Sequence, residues 1–174
     1  MDLNEFNKNI INGKVVEPIL IGYYNVKNQN DARLRPYVWI NVGICKDTNG
    51  EVWYKMLCRN VVAESKRIDM LESTLDNIYE NDALHLKDSD VESLYLDLPT
   101  IADVKGLRVH DRISYFVDQD YSCAYWLKDY VNDASFVSDN GVIIHTKRNA
   151  CLAVRPAVWI RQSEYFRINE ENDD

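Results

Sequence analysis

Basic residues almost vanish from one stretch of this chain: between Asp69 and Asp103, ten acidic residues stand against Lys87 alone. A segment of that sign repels phosphates and argues against direct DNA or RNA binding. Histidine is scarce, and His85, His110 and His145 each lack a cysteine or second histidine at zinc-site spacing. The four cysteines, Cys45, Cys58, Cys123 and Cys151, form no CxxC pair. In a reducing compartment such thiols serve as small buried apolar residues. Neither a Gly-x-Ser-x-Gly elbow nor a Walker loop occurs, and no basic residue neighbours Cys123 in Tyr121-Ser122-Cys123-Ala124 to lower its pKa. No catalytic centre, metal or cofactor is therefore expected. No apolar run approaches the roughly 18 residues of a membrane span, and the opening Met1-Asp2-Leu3-Asn4-Glu5 is acidic where a signal peptide is basic. The expectation is a cytoplasmic protein with no membrane partner.

With 174 residues, 46% of them apolar, the chain has material for one sizeable core rather than two. A single globular domain is read over residues 1–162, followed by an acidic C-terminal tail, 163–174, in which five acids face Arg167. The net charge of -8 is concentrated in the acidic middle and this tail, which leaves the remainder net positive. Such an electrically polar surface suits a charged partner.

Lys14 to Tyr24 and Tyr37 to Cys45 are rich in Val, Ile and Tyr and read as strands, separated by the polar loop Lys27 to Asp31. The second runs through Asp47-Thr48-Asn49-Gly50 into Val52 to Leu57, and Asn-Gly between two β-rich runs predicts a hairpin. From Ser65 the period changes. Ile68, Leu71, Leu75, Ile78 and Tyr79 fall on one helical face, and Asp69, Glu72, Asp76 and Glu80 on the other. Glu72, Asp76 and Glu80 are spaced four apart, at a cost of roughly 0.2–0.5 kcal/mol per like-charged pair, so packing of the apolar face must outweigh repulsion. Leu94, Leu96 and Leu98 alternate as in a strand, and Pro99 to Lys105 predicts a short helix with Gly106 just past its end. The last third returns to strands: Ile113, Tyr115 and Val117 alternate, Asp139-Asn140-Gly141 predicts a second hairpin turn, and Val154 to Ile160 is read as a closing strand.

Arg35-Pro36-Tyr37-Val38-Trp39-Ile40 is echoed by Arg155-Pro156-Ala157-Val158-Trp159-Ile160. Two strands carrying the same alternation are expected as neighbours in one sheet. The second copy also closes a longer pattern, formed by Tyr125-Trp126-Leu127-Lys128-Asp129, then Ala134-Ser135-Phe136-Val137, Asn140-Gly141 and Ala153 to Ile160. Over about residues 65–160 this order resembles a family of unknown function common in bacteria and their phages, with an aromatic-Trp-Leu-Arg motif and a final Val-Arg-Pro-Ala-Leu-Trp strand. Lys128 stands where that family has Arg. The resemblance implies an α+β, C-type lectin-like fold, with antiparallel sheets, a helical middle, and N- and C-terminal strands close together. It implies no activity, since fold does not fix function. The lectin fold's calcium-dependent sugar motifs, Glu-Pro-Asn and Gln-Pro-Asp, are absent. The same fold hosts an oxidase that uses a cysteine pair, which keeps an enzyme reading open through Cys123 and Cys151.

Two surfaces are candidates for function. Tyr and Trp among small polar residues make contact surfaces at low entropy cost, and the region from Tyr115 to Asn132 is dense in them. Tyr121, Tyr125, Lys128, Asp129, Tyr130 and Asn132, with Arg148 and Asn149 from a later loop, are the expected partner-binding residues of a non-catalytic recognition protein. A phage-encoded virion or host-interaction component fits that description. The second surface is the acidic face Asp69, Glu72, Asp76 and Glu80. Rows of carboxylates imitate a phosphate backbone, and the alternative is an acidic anti-defence inhibitor acting on a basic nucleic-acid-binding protein.

Overall fold

The computed structural model describes residues 10–11, 14–25, 34–81, 83–86, 91, 94–117, 119–128, 134–146 and 150–172. The strands, in chain order, are β1 (Ile10–Ile11), β2 (Lys14–Val15), β3 (Ile19–Asn25), β4 (Leu34–Lys46), β5 (Val52–Cys58) and β6 (Ala63–Lys66). A 3-10 turn, Ile68–Met70, then leads into α1 (Leu71–Glu80). There follow β7 (Tyr95–Asp97), α2 (Ile101–Lys105), α3 (Val109–Arg112), β8 (Tyr125–Trp126), β9 (Ala134–Val137), β10 (Ile143–Thr146), β11 (Leu152–Val154), β12 (Ala157–Arg161) and α4 (Gln162–Asn172). The architecture is mixed α+β with mostly antiparallel sheets.

The larger sheet has the order β3-β4-β5-β12-β7, antiparallel throughout. β4 and β5 form the expected hairpin; Gly50 (φ 78°) supplies the left-handed turn residue, and the Asp47 carboxylate accepts from the Asn49 and Glu51 amides. One face of the sheet packs Trp39, Tyr54, Met56, Val158 and Ile160 against Ile78 of α1, Leu84, Leu86, and Tyr165 and Ile168 of α4. The other face carries a smaller cluster, Val42, Leu57, Leu107 and Ala157.

The second sheet, β10-β9-β8-β11-β6, is antiparallel except where β8 and β11 run parallel. Trp126, Ala134 and Val154 on one face meet Leu71 of α1, while Tyr125, Leu127, Val137 and Ala153 on the other meet Val61 and Val104. β9 and β10 form the second expected hairpin, with Gly141 at φ 85°.

Four expectations are corrected. Val154 to Ile160 is two strands in different sheets: the chain leaves the second sheet after Val154 and enters the first at Ala157, and Arg155-Pro156 makes the crossing. The two Arg-Pro echoes share the larger sheet but β5 lies between them. Their registers also differ, with Trp39 opposite Cys58 and Trp159 opposite Lys55, which puts the two indoles on opposite faces. The described part of the acidic tail lies in α4, where Tyr165 and Ile168 are buried against the sheet and the Tyr165 hydroxyl donates to Glu17 O at 2.9 Å. Residues 113–117 are no strand: Ser114 is the buried residue, its hydroxyl donating to Arg59 O, and Tyr115 is exposed. Ser65 belongs to β6, which pairs with β11, so the acidic helix begins only at Leu71.

Candidate functional site

α1 shows how the sequence resolves its two faces. Leu71, Thr74 and Ile78 are buried, Ile68 and Leu75 half-buried, and Asp69, Glu72, Asp76 and Glu80 exposed, as the period requires. Tyr79, read from the sequence as part of the apolar face, is instead 42% exposed. No side chain caps the helix N-terminus; Glu72 in its first turn complements the helix dipole.

α1 lies alongside β7, the edge strand of the larger sheet, and between them runs a cleft of about 400 Å³. Its floor is apolar, from Leu71, Leu75, Leu96 and Leu98, and its rim is charged, from Glu72, Asp76, Asp97 and Lys128. The cleft thus joins two members of the expected acidic face to Lys128, a residue the sequence assigned to a different surface.

Asp97 is the best-anchored group on this rim. Its carboxylate accepts from Lys128 Nζ at 3.1 Å, Trp159 Nε1 at 3.1 Å and its neighbour Leu98 N at 2.8 Å, with Lys55 Nζ 3.7 Å away. Burial alone would push the Asp97 carboxyl up; Lys55, the Leu98 amide, Lys128 and the Trp159 indole outweigh that effect and hold it below the usual carboxylate range. Lys55 is itself buried, 2.8 Å from Asp103, and the Asp103 carboxylate also accepts from the Thr100 amide in a capping box at the start of α2. One ion network therefore fixes β5, β7, β12 and α2, and its Asp97 and Lys128 line the cleft. The sequence holds a signal for it: Lys55 is the lone cation within Trp53-Tyr54-Lys55-Met56-Leu57, and Asp97 the lone acid between Leu96 and Leu98.

The aromatic surface divides. Tyr121 is 57% exposed and lines a second cleft, of about 330 Å³, with Phe116, Cys123 and Cys151. Tyr125 is 0% exposed, and its assignment as a contact residue is corrected. Its hydroxyl donates to Arg112 O at 2.6 Å and accepts from Arg155 Nη1 at 2.9 Å, so it belongs to the join between the sheets. Trp126 and Leu127 are likewise core. Asp129, Tyr130, Asn132, Arg148 and Asn149 lie outside the described residues. No family model, curated protein or solved structure matches this chain.

Among the described residues, no group of three or more His, Cys, Asp or Glu side chains is placed to hold a metal ion. One nucleophile stands beside a base: Ser135 Oγ is 2.9 Å from His145 Nδ1 across the β9–β10 pair. Ser135 is only 1% exposed, so this contact is closed to a substrate and ties the hairpin together. Cys58 is fully enclosed, and burial pushes its thiol up to about 12, which makes it inert. No helix among the described residues is long and apolar enough to cross a membrane.

Proposed function

We propose that this chain is a non-catalytic recognition protein whose partner surface is the acidic face of α1 together with the cleft beside β7. The observation that carries this reading is one cleft with an apolar floor and a rim of three carboxylates and Lys128, continuous with the exposed column of Glu72, Asp76 and Glu80. A long cationic side chain has that same division, an aliphatic stem and a charged head, so the cleft suits a lysine or arginine presented by a basic protein. Asp97 is a fixed part of the rim, held ionised by Lys55, the Leu98 amide, Lys128 and Trp159, and the exposed Glu72 and Asp76 are the carboxylates that meet such a cation.

The wider reading is a C-type lectin-like domain, phage-encoded and working in the host cytoplasm or the particle. The two hairpins and the central helix support the fold part of that reading, and its phage origin and compartment rest on the sequence resemblance alone. A more specific reading, in which the face mimics nucleic acid and blocks a basic nucleic-acid-binding protein, draws on the regular four-residue spacing of its carboxylates.

The test is binding of Arg- and Lys-containing peptides to the native protein and to a Glu72→Lys, Asp76→Lys, Glu80→Lys triple variant across a salt series. Wild type should bind with affinity that falls as salt rises, and the variant should lose binding. A triple variant with wild-type affinity and salt dependence would refute the assignment of this face. For the nucleic-acid-mimic reading, duplex DNA should compete with the protein for a DNA-binding partner; simultaneous binding rejects it.

A further inference from the structure

β8 and β11 run parallel with Tyr125 opposite Ala153, and the Ala153 amide donates to Ala124 O at 3.0 Å. Two residues before that pair, just outside the starts of β8 and β11, stand Cys123 and Cys151. Cys123 packs against the apolar cluster that holds Tyr125 and Ala153. Both line the second cleft, beside Glu64, Phe116 and Tyr121. The paired strands that the two cysteines lead into stand about 4.8 Å apart, within the Cα separation of about 4.4–6.8 Å that a disulfide spans. Both thiols are free, Cys151 exposed and Cys123 half-buried.

We propose that Cys123 and Cys151 form a dithiol site which a small-molecule disulfide of the glutathione class converts to an intramolecular disulfide across the mouth of this cleft. The exposed Cys151 thiolate attacks one sulfur of the small disulfide, giving a mixed disulfide and releasing one small thiolate. Cys123 then loses its proton to water and attacks the Cys151 sulfur. The Cys123–Cys151 bond forms, the mixed disulfide breaks, and the second small thiolate leaves. Two protein thiols are oxidised and one small disulfide is reduced to two thiols. Both steps use a thiolate and quicken as pH rises, and burial, with Glu64 adding to it, raises the pKa of Cys123, the nucleophile of the second step. The product ties β8 to β11 beside the exposed ring of Tyr121 and narrows the cleft.

The experiment uses the full chain carrying Cys45→Ser, which removes the other exposed thiol. The protein is equilibrated in glutathione buffers of graded composition, quenched in acid, alkylated, digested and analysed by mass spectrometry. The expected product is a Cys123–Cys151 linked peptide lacking two hydrogens, half-formed at a glutathione ratio roughly tenfold or more less oxidising than the urea-unfolded chain requires. Adding Cys123→Ser should stop the reaction at a glutathione adduct on Cys151. Separate adducts on both cysteines with no linked peptide, or a link formed equally readily in urea, overturns the proposal.

Discussion

Replacing Arg155 by methionine tests the join between the two sheets. Arg155 is 1% exposed, and its guanidinium donates to Cys58 O at 2.6 Å, Asp111 O at 3.0 Å and the Tyr125 hydroxyl at 2.9 Å, with its carbon 5.2 Å from the centroid of the Tyr125 ring. Hydrogen bonds from a charged group contribute about 1.5–3 kcal/mol each, so three of them amount to roughly 4.5–9 kcal/mol. Methionine fills much of the space and ends the burial of a charge, which returns several kcal/mol. The net loss should be about 3 kcal/mol, equivalent to a fall in Tm of roughly 6–12 °C for a chain of this size. Urea unfolding followed by tryptophan fluorescence reads it, because Trp39 and Trp126 are buried. Arg155 and Tyr125 share the bond, so Arg155→Met combined with Tyr125→Phe should depart from additivity by about 1 kcal/mol. An Arg155→Met protein within about 0.5 kcal/mol of wild type, or a strictly additive double variant, would refute the view that this residue holds the sheets together.

Two further outcomes follow from the same contacts. Asp97 has a folded pKa below its unfolded value of about 3.9, so the stability it supplies is present above that value and is lost as pH falls through the lower folded pKa. Asp97→Asn should therefore be less stable than wild type near neutrality, by about 2 kcal/mol, and the gap between their urea midpoints should close in acid; a gap that stays constant with pH contradicts this. Gly22 sits at φ 73° in a β3 bulge, and a Cβ there would stand 2.2 Å from Leu84 O, which accepts from the Tyr23 amide. Gly22→Ala should cost roughly 2–4 kcal/mol in chemical unfolding, and a change within about 0.5 kcal/mol would show that the bulge relaxes freely.

What the sequence reveals about this fold is set by how local each determinant is. Both hairpins were legible because Gly50 and Gly141 satisfy a turn geometry within four residues. The short helix α2 was legible from Pro99 and Gly106, and the two faces of α1 from a period of 3.6. The break at Arg155-Pro156 was not: Val154 to Ile160 reads as one apolar run, and only pairing with β6 and β8 on one side and β5 on the other divides it. Tyr125 misled for the same reason. A tyrosine beside a tryptophan resembles a contact surface until Arg155, thirty residues later, is seen to bond its hydroxyl. Of the candidate site, the carboxylates of α1 were legible, whereas Asp97 gains its role only from Lys55, Lys128 and Trp159, which arrive from three separate segments.

The position of β12 between β5 and β7 sets a condition on the order of assembly. β5 gains its β4 partner through a short turn, but its other edge must wait for a strand about a hundred residues downstream. Until then Trp53-Tyr54-Lys55-Met56-Leu57 presents an unpaired, largely apolar edge, the kind of segment through which unfinished chains associate. Lys55 stands in the middle of that segment, and a charge there opposes pairing with a second unfinished copy. When β7 and α2 bring Asp97 and Asp103 beside it, the same charge is neutralised within its own chain. Lys55 thus guards the nascent edge first and clasps the completed sheet afterwards.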